Sequence, residues 1–262
     1  MSSPQPRVII KNSPVFSNYL ADSLGFTLYF FANDFDGSPA CTAGCADTWP
    51  PYYAGAVLTN DMLAAGLAPG DFGIVTTPGG SHQTTYKGWP LYYYAPLLNG
   101  THVRERAGDT GGDAIGNLWF IARSDYSIMM INAQLTGKNG KNYKSDYSEG
   151  TGKTQYFSDS KGVALYAFSP DSFNTNKYTK PDLSNNGTWP VYESETAVVP
   201  SVLDKSLFGT ISVYGKKQLT YKGWPMYYFG QDSMRRGFNR GVSVPTPGFW
   251  PVVVKTAPFA PR

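Results

Sequence analysis

A chain that contains its own sequence twice folds either as two like bodies or as one body with internal symmetry. Here Thr85-Tyr-Lys-Gly-Trp-Pro-Leu-Tyr-Tyr-Tyr94 returns as Thr220-Tyr-Lys-Gly-Trp-Pro-Met-Tyr-Tyr-Phe229, with eight of ten positions identical at an offset of 135. Phe72-Gly73 matches Phe208-Gly209 upstream of it. Further upstream, Tyr19, Asp22, Ser23, Gly25, Leu28 and Tyr29 match Tyr156, Asp159, Ser160, Gly162, Leu165 and Tyr166. Trp49-Pro50 answers Trp189-Pro190, and Trp119 answers Trp250. The matches are collinear and drift only by loop-sized insertions. The organisation expected of the 262 residues is a first β repeat unit at 1–125, a connecting strand and polar loop at 126–153, and a second β repeat unit at 154–262.

Each unit is itself double. Tyr29-Phe-Phe-Ala-Asn-Asp34, Tyr166-Ala-Phe-Ser-Pro-Asp171 and Tyr227-Tyr-Phe-Gly-Gln-Asp232 share the pattern Tyr-x-aromatic-x-x-Asp. The fourth place reads Tyr92-Tyr-Tyr-Ala-Pro-Leu97, with Leu where the carboxylate should be. In a strand the two aromatic positions share a face at period two, so Tyr29 and Phe31 are expected to pack together; Tyr92, Tyr94, Tyr166, Phe168, Tyr227 and Phe229 hold the same positions and are motif or ligand candidates with them. Asp34, Asp171 and Asp232 lie just past the strand end. A carboxylate there accepts backbone N–H bonds and closes an Asx-type turn; the alternative role is contact with a ligand or metal. At the fourth place Pro96, with its fixed φ, is expected to stiffen the bend without a carboxylate.

This pattern resembles the bacterial secreted-repeat, predicted-lipoprotein family defined by Tyr-x-[Phe/Trp/Tyr]-x-x-Asp. The first unit carries the fuller signature: Leu28 to Asp34, Cys41-Thr-Ala-Gly-Cys45-Ala, Trp49-Pro50-Pro51, Tyr86 to Tyr94, Gly108-Asp109 and Trp119. The second keeps the Tyr/aromatic/Asp and Trp-Pro elements but has no cysteine. The resemblance covers most of the chain and brings no assigned activity with it.

Composition narrows the compartment and the partners. Only 16% of residues are charged, and Ser, Thr, Asn and Tyr stand in for a Lys/Glu-rich surface, a style common in secreted β proteins. Cys41 and Cys45 are spaced to close a small disulfide loop in an oxidising compartment; free thiols or a metal or redox site are the other readings. An extracytoplasmic chain, periplasmic, cell-surface or secreted, follows. Met1-Ser2-Ser3-Pro4 precedes no apolar core, so the chain is expected to be a mature region given a new start Met, in which any lipid anchor would be invisible. No run approaches the ~18 apolar residues of a membrane helix. The 22 Lys+Arg against 19 Asp+Glu give a net charge of +3, and the basic residues form no stripe, which argues against a nucleic-acid partner.

Strand signals dominate: Leu28–Phe31, Gly73–Thr77, Leu91–Tyr94, Leu118–Ile121, Ile211–Tyr214, Met226–Phe229 and Pro251–Val254 are short β-branched and aromatic runs between turn formers. Asp22-Ser-Leu-Gly25, Asp159-Ser-Lys-Gly162, Tyr86-Lys-Gly88 and Tyr221-Lys-Gly223 read as turns. The one helical candidate is Asn60 to Gly66, with Asn60 as its cap. The polar stretch from Gly137 to Gly150 reads as an exposed loop or linker. An all-β, internally duplicated fold follows, two similar units packed about a pseudo-twofold axis, with a four-bladed propeller as the alternative.

Chemistry-bearing motifs are few. Asn33-Asp-Phe-Asp-Gly37 offers Asp34 and Asp36 as hard oxygens but lacks the later bidentate Glu of a calcium loop, and Asp109 to Asp113 is similar. Gly150-Thr-Gly-Lys-Thr154 has Tyr147 where a phosphate-binding loop needs Gly, and reads as a flexible loop. No cofactor is called for; a copper or haem site would have to draw on His82, His102, Cys41, Cys45 and methionines. Nineteen Tyr exceed what a core requires, so alternate tyrosines are expected to face solvent on the outer sheet surfaces or, near loops, to form flat platforms for sugars or partner proteins. The leading expectation is a non-enzymatic protein that binds a cell-surface component or a protein partner, or assembles structurally. A metal-binding or electron-transfer accessory and a polysaccharide hydrolase are the alternatives.

Overall fold

Short strands joined by tight turns are what Gly-punctuated aromatic runs produce, and they fill both halves of the chain. A computed structural model of the chain describes residues 6–55 and 57–262; the leader reading of residues 1–4 lies outside them. Two compact units result, Met1–Asp125 and Tyr126–Arg262. The described strands form antiparallel sheets of two to four strands, and none closes into a barrel.

In the first unit β1 (Val8–Ser13) and β2 (Ser17–Asp22) make a hairpin. The chain then turns sharply. Asp22 Oδ1 accepts the amides of Leu24 and Phe26, each at 2.9 Å, while Gly25 takes φ +88°, which costs a residue without Cβ little. There follow β3 (Tyr29–Phe31), a single helical turn α1 (Gly44–Thr48), β4 (Phe72–Thr76), β5 (His82–Tyr86), β6 (Trp89–Pro90), β7 (Leu97–Leu98), β8 (Thr101–His102) and β9 (Trp119–Ile121). β3 pairs with β9, β4 with β5 and β5 with β6. β7 and β8 form a separate hairpin around Asn99 and Gly100, both at positive φ.

The second unit repeats this plan. β10 (Met129–Thr136) pairs with β11 (Asn142–Tyr143) and with β12 (Lys153–Ser158). Asp159 holds the next turn as Asp22 does, its Oδ1 accepting Lys161 and Val163 amides at 2.8 and 2.9 Å, with Gly162 at φ +85°. β13 (Tyr166–Ala167), β14 (Phe208–Val213), β15 (Lys216–Tyr221) and β16 (Trp224–Tyr227) form one sheet in the order β13-β16-β15-β14. The two Tyr-Lys-Gly turns match as well. Lys87 and Lys222 stand at φ +48° and +50°, where Asn or Gly is usual. Each offsets that cost by donating its ammonium to main-chain carbonyls, Ser124 for one and Lys255 and Ala257 for the other.

Several expectations need correcting. Leu91–Tyr94 and Pro251–Val254 are not strands: they join through isolated bridges, Tyr92 to Tyr29 and Pro51, and Val252 to Tyr166. Asn60 is the first residue of one 3-10 turn (Asn60–Met62), not its cap, which is Thr59. Residues 142–143 of the polar stretch pair back on β10, so the stretch is a hairpin within the second unit and not a linker. The chain is already in β12 at Lys153, where a flexible loop was expected. Most tyrosines are core rather than surface: Tyr19, Tyr29, Tyr92, Tyr143, Tyr156, Tyr166, Tyr221 and Tyr227 are among the largest fully buried side chains, while Tyr53 and Tyr214 are exposed. A buried phenol needs a partner for its hydroxyl, and the partners are the key to the site.

Candidate functional site

At the centre of each unit two motif tyrosines lie opposite one another. Tyr29 and Tyr92 exchange both backbone hydrogen bonds, at 2.9 and 3.0 Å, and Tyr166 and Tyr227 are register partners of β13 and β16. A mutual antiparallel pair carries a local twofold, so what one residue meets on its side the other meets on its own. The side chains obey it: each hydroxyl donates to the carboxylate of the other tyrosine's segment. Tyr92 reaches Asp34 Oδ2 at 2.8 Å, Tyr227 reaches Asp171 Oδ2 at 2.7 Å, and Tyr166 reaches Asp232 Oδ2 at 2.5 Å. The other oxygen of each Asp accepts a backbone amide: Ala40 on Asp34 and Lys177 on Asp171, both at 2.7 Å, and Arg240 on Asp232 at 3.1 Å. Each carboxylate therefore closes a loop and clasps the opposite half of the unit.

The fourth carboxylate exists, and Leu97 is not its substitute. Leu97 is exposed in β7. After the β7–β8 hairpin, Glu105 enters the place that Asp232 holds in the second unit: its Oε1 accepts the Tyr29 hydroxyl at 2.5 Å and its Oε2 the Gly111 amide at 2.9 Å. Equivalence is fixed by the strap behind it. Gly112 N–H donates to the Tyr29 oxygen and Gly241 N–H to the Tyr166 oxygen, both at 3.3 Å. Both positions require glycine, because an added Cβ would stand 2.8 Å from the Tyr29 or Tyr166 ring. Asp109 to Asp113, with its faint calcium-loop look, is this strap. The Pro96 carbonyl accepts the Val103 amide at 3.1 Å at the base of the β7–β8 hairpin.

Around the tyrosines runs a four-ring stack. Phe31 lies on Trp119 (4.0 Å, 9°), Trp119 on Trp49 (3.8 Å, 2°) and Trp49 against Tyr94 (4.6 Å). In the second unit the order is Phe168, Trp250, Trp189 and Phe229, with the tryptophan pair again at 3.8 Å. Tyr92 and Tyr227 meet Trp119 and Trp250 edge-on, at 90° and 89°. Third aromatics of the motif thus cap the ends of the stack and its tyrosines brace the sides, burying large rings in geometries that favour them.

Electrostatics follow from burial. Loss of solvent pushes Glu105 up to about 7, against the pull of the Tyr29 hydroxyl and the Gly111 amide. It pushes Asp171 and Asp232 up to about 6, again against their hydrogen bonds. The phenols of Tyr29, Tyr92, Tyr166 and Tyr227 are raised well above their ordinary value, first by burial and then by the adjacent carboxylate. All four stay protonated donors at any ordinary pH.

The proposed metal ligands do not converge. Asp34 is committed to Tyr92 and Ala40, and Asp36 accepts the Ser38 amide at 2.8 Å in an exposed turn. His82 stands exposed on β5 beside Tyr53, and His102 Nδ1 contacts the Ala95 carbonyl at 2.9 Å. Cys41 and Cys45 are joined in a disulfide with Cα atoms 5.4 Å apart, so neither offers a thiolate. Among the described residues no group of three or more His, Cys, Asp or Glu is placed to hold a metal ion. Sequence reasoning missed Glu105, which lies off the motif spacing. It also missed Tyr93 and Tyr228, whose hydroxyls reach the turn residues Asp22 and Asp159 at 2.8 and 2.9 Å. The near-identical decapeptides and the matched Asp22/Asp159 were the available signal.

Two segments, residues 73–96 and 211–253, match the family model of a secreted repeat of unknown function. One lies in each unit, and between them they hold Tyr92, Tyr94, Tyr227, Phe229, Asp232 and Trp250. No curated protein and no solved structure matches the chain. No helix among the described residues is long and apolar enough to cross a membrane. The matched model is of a secreted repeat, and a location outside the cytoplasm accords with it and with the Cys41–Cys45 disulfide, which persists in an oxidising compartment.

Proposed function

We propose that this extracytoplasmic repeat protein is a non-enzymatic binding module for a cell-surface component. The observation that carries this reading is the use made of the motif groups. Both oxygens of Asp34, Asp171 and Asp232 are occupied, one by a main-chain amide and one by a buried phenol. Groups so engaged set the shape of a scaffold; a general acid or nucleophile needs an oxygen turned to substrate. Glu105 has a carboxyl held near neutrality, but burial beside Tyr29 accounts for that, and its two oxygens are spent in the same way. Binding then belongs to the loops that the two clasped units present, as in other β scaffolds that display loops on a rigid body.

A glycan array read for retention and for product release tests this directly. Retention of a surface glycan with no change in its length is the expected result. Release of shortened products that the Asp34→Asn, Asp171→Asn and Asp232→Asn variants fail to make would overturn it. Metal analysis with a visible spectrum of protein from its native compartment is expected to show no stoichiometric metal or chromophore.

A further inference from the structure

The strap behind the clasp carries opposite charge in the two units. Gly108 and Gly237, at φ +91° and +76°, donate equivalent amides to Gly25 and Gly162 at 2.9 and 3.2 Å. Gly112 and Gly241 are equivalent by their bonds to the motif tyrosines. Between these anchors the first unit has Asp109-Thr110-Gly111 and the second Phe238-Asn239-Arg240, so a carboxylate is lost and a guanidinium gained. In the first unit Asp109 Oδ2 accepts the amide of Arg106 at 3.2 Å. The residue equivalent to Arg106 is Arg235, and it stands with Arg240 on the Phe238 ring, their guanidinium carbons 4.7 and 4.1 Å from its centroid. Among the described residues neither arginine forms an ion pair. Asp232, the nearby carboxylate, is committed to the Tyr166 hydroxyl and the main-chain amide of Arg240.

A second difference faces the first. Where the first unit has a tight turn between β1 and β2, the second has the β10–β11 hairpin, and its Lys138 amide donates to the Arg240 carbonyl at 2.9 Å. Buried Asn239 fixes the strap to β10 and β12: its Oδ1 accepts the Thr136 amide at 2.6 Å, and its Nδ2 donates to the Gln134 carbonyl at 3.0 Å and the Tyr156 hydroxyl at 3.1 Å. Between hairpin and strap lies a cleft of about 570 Å³, lined by Thr136, Lys138, Gln231, Phe238 and Arg240 with bare glycine backbone. Lys138 and Arg240 are exposed, so their charged ends can meet a ligand from solvent, and Lys138 too forms no ion pair among the described residues. A guanidinium laid on a ring keeps its N–H edges free and held in place, which suits the oxygens of a phosphate or carboxylate. Three cations without an acidic partner favour the group of higher charge, and a phosphate monoester carries about −1.5 to −2 at pH 7. The cleft exceeds a lone phosphate and falls within the ~300–1,000 Å³ of small-molecule sites. Its other walls are hydroxyl, amide and glycine, which suit sugar hydroxyls better than an acyl chain.

We propose that the second unit binds a phosphorylated sugar of a cell-surface glycan in this cleft, its phosphate held by Arg240 and Lys138 with Arg235 beside them. The proposal rests on the binding reading above and names its ligand class. Its test is calorimetric titration of the full chain with glucose 6-phosphate, inorganic phosphate, glucuronate and glucose, beside co-sedimentation with phosphatidylglycerol vesicles. Glucose 6-phosphate is expected to bind at least tenfold more tightly than the other three, and the vesicles to leave the protein in solution. Arg240→Gln and Lys138→Gln, both at exposed side chains, should each weaken that binding at least fivefold with an unchanged melting temperature. Phe238→Leu, which removes the ring beneath the guanidinium groups, should weaken it at least threefold. Arg106→Gln takes the same charge from the equivalent place in the first unit and should change it less than twofold. Equal affinity for inorganic phosphate would mean an adventitious anion only, equal affinity for glucuronate a carboxylate site, and vesicle binding that Arg240→Gln abolishes a lipid headgroup site; each overturns the proposal. So would no binding of glucose 6-phosphate, or binding that survives both Arg240→Gln and Lys138→Gln, or an equal loss in Arg106→Gln. Retention on the array of glycans without phosphate alone would sink this subsite and leave the binding module standing, whereas turnover on the array would remove the reading beneath both.

Discussion

Tyr29 and Tyr166 sit in the same place in their units and receive the same bond from a strap glycine, yet their carboxylates arrive by different routes. Asp232 follows Tyr227 directly at the motif spacing. Glu105 arrives only after the β7–β8 hairpin has been inserted, and its longer side chain reaches the same hydroxyl. A second exchange runs the other way. The residue after the amide donor is Cys41 in the first unit and Tyr178 in the second. Cys41, bonded to Cys45, packs into the cluster around Trp49 and Trp119, where Tyr178 meets Trp250 edge-on at 4.9 Å and Phe168 at 5.4 Å. What is held constant is the function of each place: a carboxylate on a phenol, and apolar volume against a tryptophan. Residue type is free wherever another residue meets the same requirement.

Deleting the tryptophans at the centre of the stacks tests the equivalence most severely. Trp119→Ala and Trp250→Ala should each cost about 3–5 kcal/mol in denaturant unfolding, the usual range for a buried aromatic. A loss below about 1 kcal/mol for either would break the equivalence. Asp232→Ala strands the Tyr166 hydroxyl and the Arg240 amide and should cost about 2–3 kcal/mol. Glu105→Ala, at a half-buried site, should cost about 2 kcal/mol. Replacing both cysteines by Ala should cost at most about 2 kcal/mol, because so short a loop restricts the unfolded chain little. Tyr178→Ala is expected to cost a similar amount; a several-fold difference between the two would separate the roles assigned to them.

Proton linkage gives a subtler contrast. The folded carboxyls of Glu105, Asp171 and Asp232 are raised to about 7, 6 and 6, above model values of 4.5, 3.8 and 3.8. The folded state thus binds protons more tightly than the unfolded one, and the stability this provides is full below the unfolded values and is lost as pH rises through the folded ones. Melting temperature should therefore fall between pH 5 and 8. Glu105→Gln should flatten the upper part of that fall and leave the lower part, owed to the second unit, in place. A melting temperature that rises across this window would contradict the assignment. Smallest of all, Leu97→Ala should change stability by no more than about 0.5 kcal/mol, as exposed substitutions do.

Much of this was legible in the sequence because duplication exposes what position demands. The Asp22 and Asp159 turns, the Tyr-Lys-Gly hairpins, the Trp119/Trp250 equivalence and the Cys41–Cys45 bond can all be read from matched residues and spacing. Glu105 could not, since an insertion moved it off the motif and a longer side chain made up the distance. The tyrosines misled for a related reason. A phenol looks like a surface residue until its carboxylate partner is known, and that partner lies on the opposite half of the unit, beyond the reach of local periodicity. Asn176 looks like neutral loop variation until Gln218, whose buried Oε1 it donates to at 2.7 Å, is seen beside it.

The central claim is that a carboxylate from one half of each unit clasps a tyrosine of the other, and that Glu105, not Leu97, completes the fourth clasp. A double-mutant cycle of Tyr29→Phe with Glu105→Ala, set beside one of Tyr29→Phe with Leu97→Ala, measures it directly by equilibrium unfolding. The first cycle should return a coupling of about 1–3 kcal/mol and the second none beyond the ~0.5 kcal/mol expected of independent sites. Additive losses in the first cycle, or coupling in the second, would contradict the account.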